Sequence, residues 1–206
     1  LAPWLAKGRA CVLSLQNGVD NEPLLGAALG AARIIGGLSR RLGGHVTAPG
    51  QISATGACDT LIGHWPDAGT ADPHRAGVMD TLAAAFEAAG LALEVSPDIR
   101  RELWRKLILN NGVNPLSAIL RMDTRSISRD PLLGPVVLEM MRETAAAAAA
   151  DEVTLTGDDA AAMYDLIRNF DAIKTSMLVD LEHGRALELE AIPGAVLERS
   201  RQLGLD

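Results

Sequence analysis

Lys106, Asn110 and Asn114 recur every fourth residue in the stretch Trp104-Arg105-Lys106-Leu107-Ile108-Leu109-Asn110-Asn111-Gly112-Val113-Asn114-Pro115-Leu116. Read as a helix at about 100° per residue, the three fall within roughly 80° of one side and span about 12 Å of rise. Trp104, Ile108 and Ile119 point the other way, so one face is expected to be buried while the other offers a cation and two amides. Lysine is a compact charge with a releasable proton, and neutral amides hold a carboxylate or hydroxyl without competing for that proton. Lysines are mostly solvated, so the spacing alone describes a surface Lys beside two Asn as readily as a site. Asn110 and Asn114, with Gly112 between them, nevertheless carry a propensity cost that a helix selected only for stability would avoid. Pro115 lacks an N–H and crowds the carbonyl four residues back, which predicts a kink or restart there.

A second polar stretch lies far along the chain, where Ser176 is followed twelve residues later by Glu188, then Leu189-Glu190 and Pro193-Gly194. Gly184 is expected to end a helix and Pro193 to open the next, leaving Glu188 on the connection. Taken by itself, that acidic turn reads as solvated.

The elements that position these residues divide into two textures. Residues 10–15 form a short apolar strand stopped by Gln16-Asn17-Gly18, and a short helix runs from Glu22 to Leu29. Arg33–Leu38 reads as a strand whose paired glycines admit close approach of backbone or ligand. His45–Ala48, Gln51–Thr55 and Thr60–Gly63 read as short strands in antiparallel hairpins, succeeded by a helix over 74–90 ended by Gly90 and a last strand at Leu93–Val95. From Asp98, a suitable N-cap, helical periodicity covers 99–109, 113–120, 132–151, 158–173, 174–183 and 191–203. A domain boundary is placed near Pro97, giving domains 1–97 and 98–206. Because small-molecule sites favour domain junctions, the placement of Lys106 just past the boundary raises its interest.

The 206 residues are ample for a core, and 48% hydrophobic with 22% charged residues is a globular composition. A net charge of −7 without a Lys/Arg run argues against nucleic acid as a partner. Cys11 and Cys58 show neither CxxC nor metal spacing to His45, His64, His74 or His183, so both are expected to be small buried thiols in a reducing cytoplasm, with no metal site. No signal-type segment and no apolar run of membrane length occurs, so no membrane partner is expected. The Ala145–Ala150 tract reads as close helix packing.

Taken together, Gln16-Asn17-Gly18, the Lys106/Asn110/Asn114-Pro115-Leu116 stretch, and Ser176-Met177 with Glu188-Leu189-Glu190 and Gly194 resemble the ketopantoate reductase family, the NADPH-dependent 2-dehydropantoate 2-reductases, over essentially the whole chain. The resemblance implies an α/β remnant of a Rossmann-type NADP-binding domain followed by an all-α domain like the C-terminal domain of 6-phosphogluconate dehydrogenase, with the active site in the cleft and a homodimer possible. It implies Lys106 as the catalytic acid and Glu188 as the carboxylate that orients the substrate hydroxyl and the lysine. Asn110, Asn114 and Ser176 become substrate-binding residues for a 2-oxo acid, and Asn17 lies between nicotinamide and substrate. Hydride delivery to a ketone leaves negative charge on oxygen, which an ammonium stabilises and then protonates. A nearby carboxylate would keep that lysine charged and pointed.

Three features depart from the family pattern. The glycine-rich phosphate turn GxGxxG is absent, and a Rossmann half spends roughly 60–90 residues before this point, so the chain reads as a fragment lacking N-terminal strands and is expected to bind NADPH poorly as it stands. Its end at Leu203-Gly204-Leu205-Asp206 also falls short of a final family helix. Glu190 stands where Asp is usual. Two rival expectations accompany the pantoate assignment: a paralogous reductase of another 2-oxo acid, and a non-catalytic association module in which 132–151 and 158–173 form an intersubunit bundle.

Overall fold

The computed structural model describes residues 8–40, 43–55, 58–67, 69 and 72–205. The chain divides into two compact units, the first built from the described residues of Leu1–Gln16 and Asp20–Glu102, the second from Asn17–Val19 and Leu103–Asp206.

In the first unit, β1 (Val12–Leu13), β2 (Ile34–Arg40), β5 (Asp59–His64) and β6 (Leu93–Val95) form one sheet in the order β1-β2-β5-β6, while β3 (Gly43–Ala48) and β4 (Gln51–Thr55) pair as a separate antiparallel hairpin. β1 runs parallel to β2 and β6 parallel to β5, whereas β2 and β5 are antiparallel. The expected strand at 10–15 is only two residues long, while β2 and β5 are longer than expected. Helices α1 (Asn21–Leu29) and α2 (Pro73–Ala88) complete the unit. Asp72 caps α2 by accepting from the Arg75 N–H at 3.1 Å, Pro73 occupies its first turn, and Gly90 with φ +69° lies just past its end. Ile35, Ile62 and Met79 pack as the core.

The glycines of β2 are explained by packing. Gly36 pairs with Gly63 across β2 and β5, and a Cβ on either would come within 3.0 Å or 2.6 Å of Ile99, which is almost wholly buried. Gly36 and Gly63 thus seat Ile99, and a Cβ on Gly37 would fall 2.6 Å from Leu13 Cδ1 and 2.9 Å from the Ser14 carbonyl oxygen, so packing rather than a ligand occupies the space at the paired glycines of β2. Buried Arg75 is likewise absorbed by structure: it donates to the carbonyls of Ala31, Ile34 and Trp65 at 3.2, 3.0 and 2.7 Å and to His64 Nδ1 at 3.2 Å.

The second unit is helical: α3 (Ile99–Leu120, from Leu103), α4 (Thr124–Arg129), α5 (Leu133–Ala147, followed by a 3₁₀ turn Ala148–Asp151), α6 (Gly157–Asn169), α7 (Ser176–Glu182) and α8 (Ala195–Leu203). Asp98 caps α3, accepting from the Arg101 N–H at 3.0 Å. The expected break at Pro115 does not occur; α3 continues through it to Leu120. Burial along α3, with Ile108, Val113 and Ala118 in the interior, outweighs one lost hydrogen bond. Ile119, expected on the buried face with Trp104 and Ile108, is 76% exposed although it keeps nearly the angle of Ile108 around the helix, for it lies in the last turn of α3, one residue before its end at Leu120. Helix α4 is absent from the sequence expectations because its six residues are too few to show a period, although Asp123 caps it by accepting from Ser126 N–H at 2.9 Å. Helix α6 stops at Asn169, short of the expected 173.

Ile108, Val113, Ile127, Val137, Met141, Ala145, Ala160 and Ile167 make the core. In the alanine tract Ala145, Ala147 and Ala148 are buried, consistent with close packing. A Cβ on Gly112 would fall 2.6 Å from Met141 Cγ, so that glycine sets how near α3 and α5 approach. Beside it, buried Asn111 donates from Nδ2 to Thr144 Oγ1 at 2.9 Å, and Thr144 donates to the Met140 carbonyl at 2.7 Å. Cys11 and Cys58 are free and half-buried rather than buried.

Two features of this packing can be tested through stability. Thr144→Val keeps the shape of the side chain but strips Asn111 of its acceptor, and is expected to cost about 1–3 kcal/mol in urea unfolding. The Glu22 carboxyl is wholly buried in the first unit, and desolvation pushes it up to about 7, with its own and Gly37 N–H groups and the Ser14 hydroxyl opposing the shift. None of those groups reaches hydrogen-bond geometry with the carboxyl oxygens among the described residues. An acid whose folded value is raised stabilises the fold below its unfolded value near 4.5 and loses that contribution as pH climbs through about 7. Unfolding at pH 5 and pH 8 is expected to show this loss, up to ~3 kcal/mol, in the native protein and not in Glu22→Gln.

Candidate functional site

Lys106 sits on α3 within the second unit, held by neighbours that fix the rotation of the helix. Trp104 is buried, with the Arg199 guanidinium 5.5 Å from its ring centroid, and Arg199 in turn donates to Asp151 Oδ2 at 2.8 Å. Arg105 Nε lies 3.8 Å from Asp159 Oδ1. With Trp104 inward, Lys106 is half-buried, and Asn110 and Asn114 follow one and two turns later, Asn114 almost fully buried.

Burial pulls the Lys106 ammonium below the usual lysine range, and the Glu188 carboxylate opposes that shift. Desolvation is the larger of the two effects, and the carboxylate offsets it only in part. Among the described residues Lys106 closes no contact ion pair, so the attraction acts across a gap.

Glu188 stands on the connection after α7, whose end is marked by Gly184 at φ +64°. Just beyond it the chain forms a π-turn over Glu190–Gly194. Its cause is Pro193, which has no N–H to give to the Leu189 carbonyl; the Gly194 N–H takes that carbonyl instead at 2.8 Å, one residue later than in an α-helix. Ile192 N–H still donates to the Glu188 carbonyl at 3.1 Å, so the backbone of Glu188 is tied to the turn. Glu190 opens the turn and is exposed.

Asn17 belongs to the same unit although it lies 171 residues away in sequence: its Nδ2 donates to Glu188 Oε2 at 3.0 Å. A carboxylate only accepts, so the amide must present its nitrogen here. Lys106, Glu188 and Asn17 are thus brought into one electrostatic set. Ser176 is the exposed first residue of α7, where the preceding Thr175 accepts from Leu178 N–H at 3.2 Å, and among the described residues it makes no hydrogen bond to the other three. The π-turn and its hold on Glu188 replace the helix start expected at Pro193, and nothing in the residue type alone tells a helix start from a π-turn. Among the described residues no His/Cys/Asp/Glu group is arranged for a metal, and no helix is long and apolar enough to cross a membrane.

The chain as a whole is similar to known proteins. Residues 98–206 match the family described as ketopantoate reductase PanE/ApbA C terminal, and residues 1–67 match ketopantoate reductase PanE/ApbA. The 2-dehydropantoate 2-reductase of Archaeoglobus fulgidus is 29% identical over 195 residues, 95% of this chain and 63% of the relative; that of Pyrococcus horikoshii is 30% identical over 95% of this chain and 62% of its own length. The crystal structure of 2-dehydropantoate 2-reductase from Methylococcus capsulatus superposes with a TM-score of 0.81 at 32% identity, covering 94% of this chain and 60% of that one. A D-mandelate dehydrogenase holding NADH and anilino(oxo)acetate shares the fold, with a TM-score of 0.83 at 21% identity over 100% of this chain and 67% of that one. The chain spans less than two thirds of the length of the two archaeal relatives. With both family descriptions matched in chain order, the C-terminal one over more than half of the chain, the protein belongs to the ketopantoate reductase family.

Proposed function

We propose that the protein reduces 2-dehydropantoate to pantoate with NADPH, with Lys106 as the acid. The observation that carries this reading is the half-buried Lys106 ammonium facing Glu188, whose other commitment is the 3.0 Å hydrogen bond from Asn17. The names of the relatives favour 2-dehydropantoate, and NADPH rather than NADH follows the family precedent.

The residues of this chain fit the reacting end of such a nucleotide, since an amide follows the carboxyl end of β1, the end of a parallel pair at which α/β sheets place ligands. The phosphates have no counterpart among these residues, because no GxGxxG turn occurs in the 206. When bound, the reduced nicotinamide supplies a hydride to the ketone carbon of the substrate. As the C–O π pair moves onto oxygen, Lys106 Nζ stabilises the growing charge and gives its proton to that oxygen, producing the alcohol. Desolvation suits the lysine to this work, for an ammonium held less tightly than in water is the stronger acid. Glu188 Oε2 is engaged by Asn17, which leaves Oε1 to accept from the substrate hydroxyl and to steady the ammonium. Asn110 and Asn114 offer amides to the substrate carboxylate and hydroxyl from the same helix side as Lys106, and Ser176 adds a hydroxyl. Domains 1–97 and 98–206, a cytoplasmic location and a homodimer complete the proposal.

The test is spectrophotometric NADPH oxidation by the full-length protein with 2-dehydropantoate and a panel of other 2-oxo acids. A clear preference for 2-dehydropantoate is expected; equal rates on unrelated acids would withdraw the substrate and keep the chemistry. Lys106→Ala is expected to lower kcat by about 10²–10⁴-fold while the protein stays folded by circular dichroism. The acid form of Lys106 is lost as pH rises, so the alkaline fall of kcat/KM is expected to begin below the usual lysine range. Full activity in Lys106→Ala excludes the lysine as the acid.

A further inference from the structure

We propose that Gly18 is a positioning residue, seated on the Ala191 carbonyl of the π-turn so that Asn17 holds one oxygen of Glu188. The inference rests on the reductase reading for its kinetic consequence but not for its geometry. Gly18 has φ +99°, a conformation that side chains rarely adopt, and it is buried. A Cβ built there would lie 2.9 Å from the Ala191 carbonyl oxygen, a backbone atom that must shift to admit it, and 3.3 Å from Ala191 Cβ.

The carbonyl it meets is set by the π-turn. Pro193 displaces the Leu189 hydrogen bond to Gly194, and a Cβ on Gly194 would stand 3.0 Å from the Leu189 carbonyl oxygen, so the turn is tight at both ends. Ala191 is the second residue of this turn, and Glu188 lies three residues before it with its backbone carbonyl bound to Ile192 N–H at 3.1 Å. Gly18 and Glu188 therefore meet the same short, stiff segment. Asn17 is the residue before Gly18, and it reaches Glu188 Oε2 at 3.0 Å. Two contacts from adjacent residues onto one turn fix both the distance and the direction of that amide, as a single contact would not.

The consequence concerns which Glu188 oxygen remains open. With Oε2 engaged, the carboxylate cannot rotate, and its unengaged oxygen keeps one orientation toward Lys106 and substrate. If the Asn17 turn lifts off Ala191, the carboxylate turns freely, and the attraction that opposes desolvation of Lys106 weakens on average. Gly18 thus acts through Asn17 and Glu188 without touching substrate.

The experiment is a double-mutant cycle in the full-length protein between Gly18→Ala and Asn17→Ala, read by steady-state kinetics and by the side-chain amide resonances of Asn17 in a ¹H–¹⁵N spectrum. Gly18→Ala is expected to lower kcat about 10–100-fold in the native background and less than about 2-fold in Asn17→Ala, and to move the Asn17 amide signals to the position of a solvated amide. Equal losses in both backgrounds, or Asn17 signals unchanged in folded Gly18→Ala, overturn the proposal. If Gly18→Ala does not fold, Ala191→Val is the second variant: crowding the same seat is expected to move the Asn17 signals, and unchanged signals overturn the proposal. A protein that reduces no 2-oxo acid, yet whose Asn17 signals shift in Gly18→Ala, upholds the seat and overturns the reductase reading.

Discussion

The balance on Lys106 is the constraint that organises the second unit. Its ammonium gives up water on a helix whose other face is core, and the Glu188 carboxylate returns part of what is lost. Such a balance persists only if neither group moves far, and much of the surrounding structure limits movement. Trp104 and Arg199 with Asp151 hold the rotation of α3, the Pro193 π-turn holds the backbone after Glu188, and the Asn17 amide holds its carboxylate. Two of these restraints are unusual: a buried arginine and a π-turn. Devices of this kind gather where geometry matters more than stability.

Helix α3 shows how that geometry is kept in spite of local propensity. Pro115 and the carboxamides would shorten an isolated helix, yet α3 runs unbroken from Ile99 to Leu120. Ile108, Val113 and Ala118 lie in the interior along it, and Asn111 is tied to Thr144 on α5. Continuity is what keeps Asn110 and Asn114 in helical register with Lys106. A restart at Pro115 would have freed the rotation of Asn114 from that of the lysine.

Much of this is legible in the sequence because its signals are local. The N-cap at Asp98, the stops at Gly90 and Gly184, the change from strand to helix texture and the face carrying Lys106, Asn110 and Asn114 all come from spacing and residue type. What is not legible depends on tertiary context. Ile119 has the angle of the buried face yet is exposed in the last turn of α3, and Cys11 and Cys58, apolar by type, are only half-buried. The glycines of β2 suggest room for a ligand, whereas Ile99 fills it at Gly36 and Leu13 with the Ser14 carbonyl fills it at Gly37. Pro193 has the residue type of a helix start but makes a π-turn, and the bond from Asn17 to Glu188 spans too much of the chain for any spacing rule to reveal.

The balance on Lys106 is best tested by titrating its Nζ group by heteronuclear NMR, in the native protein and in Glu188→Gln. The native lysine is predicted to titrate below the usual lysine range, and to titrate lower still once the opposing carboxylate is neutral. A native value at or above that range, or one that Glu188→Gln leaves unmoved, would contradict the opposition of burial and Glu188 on which the site is built.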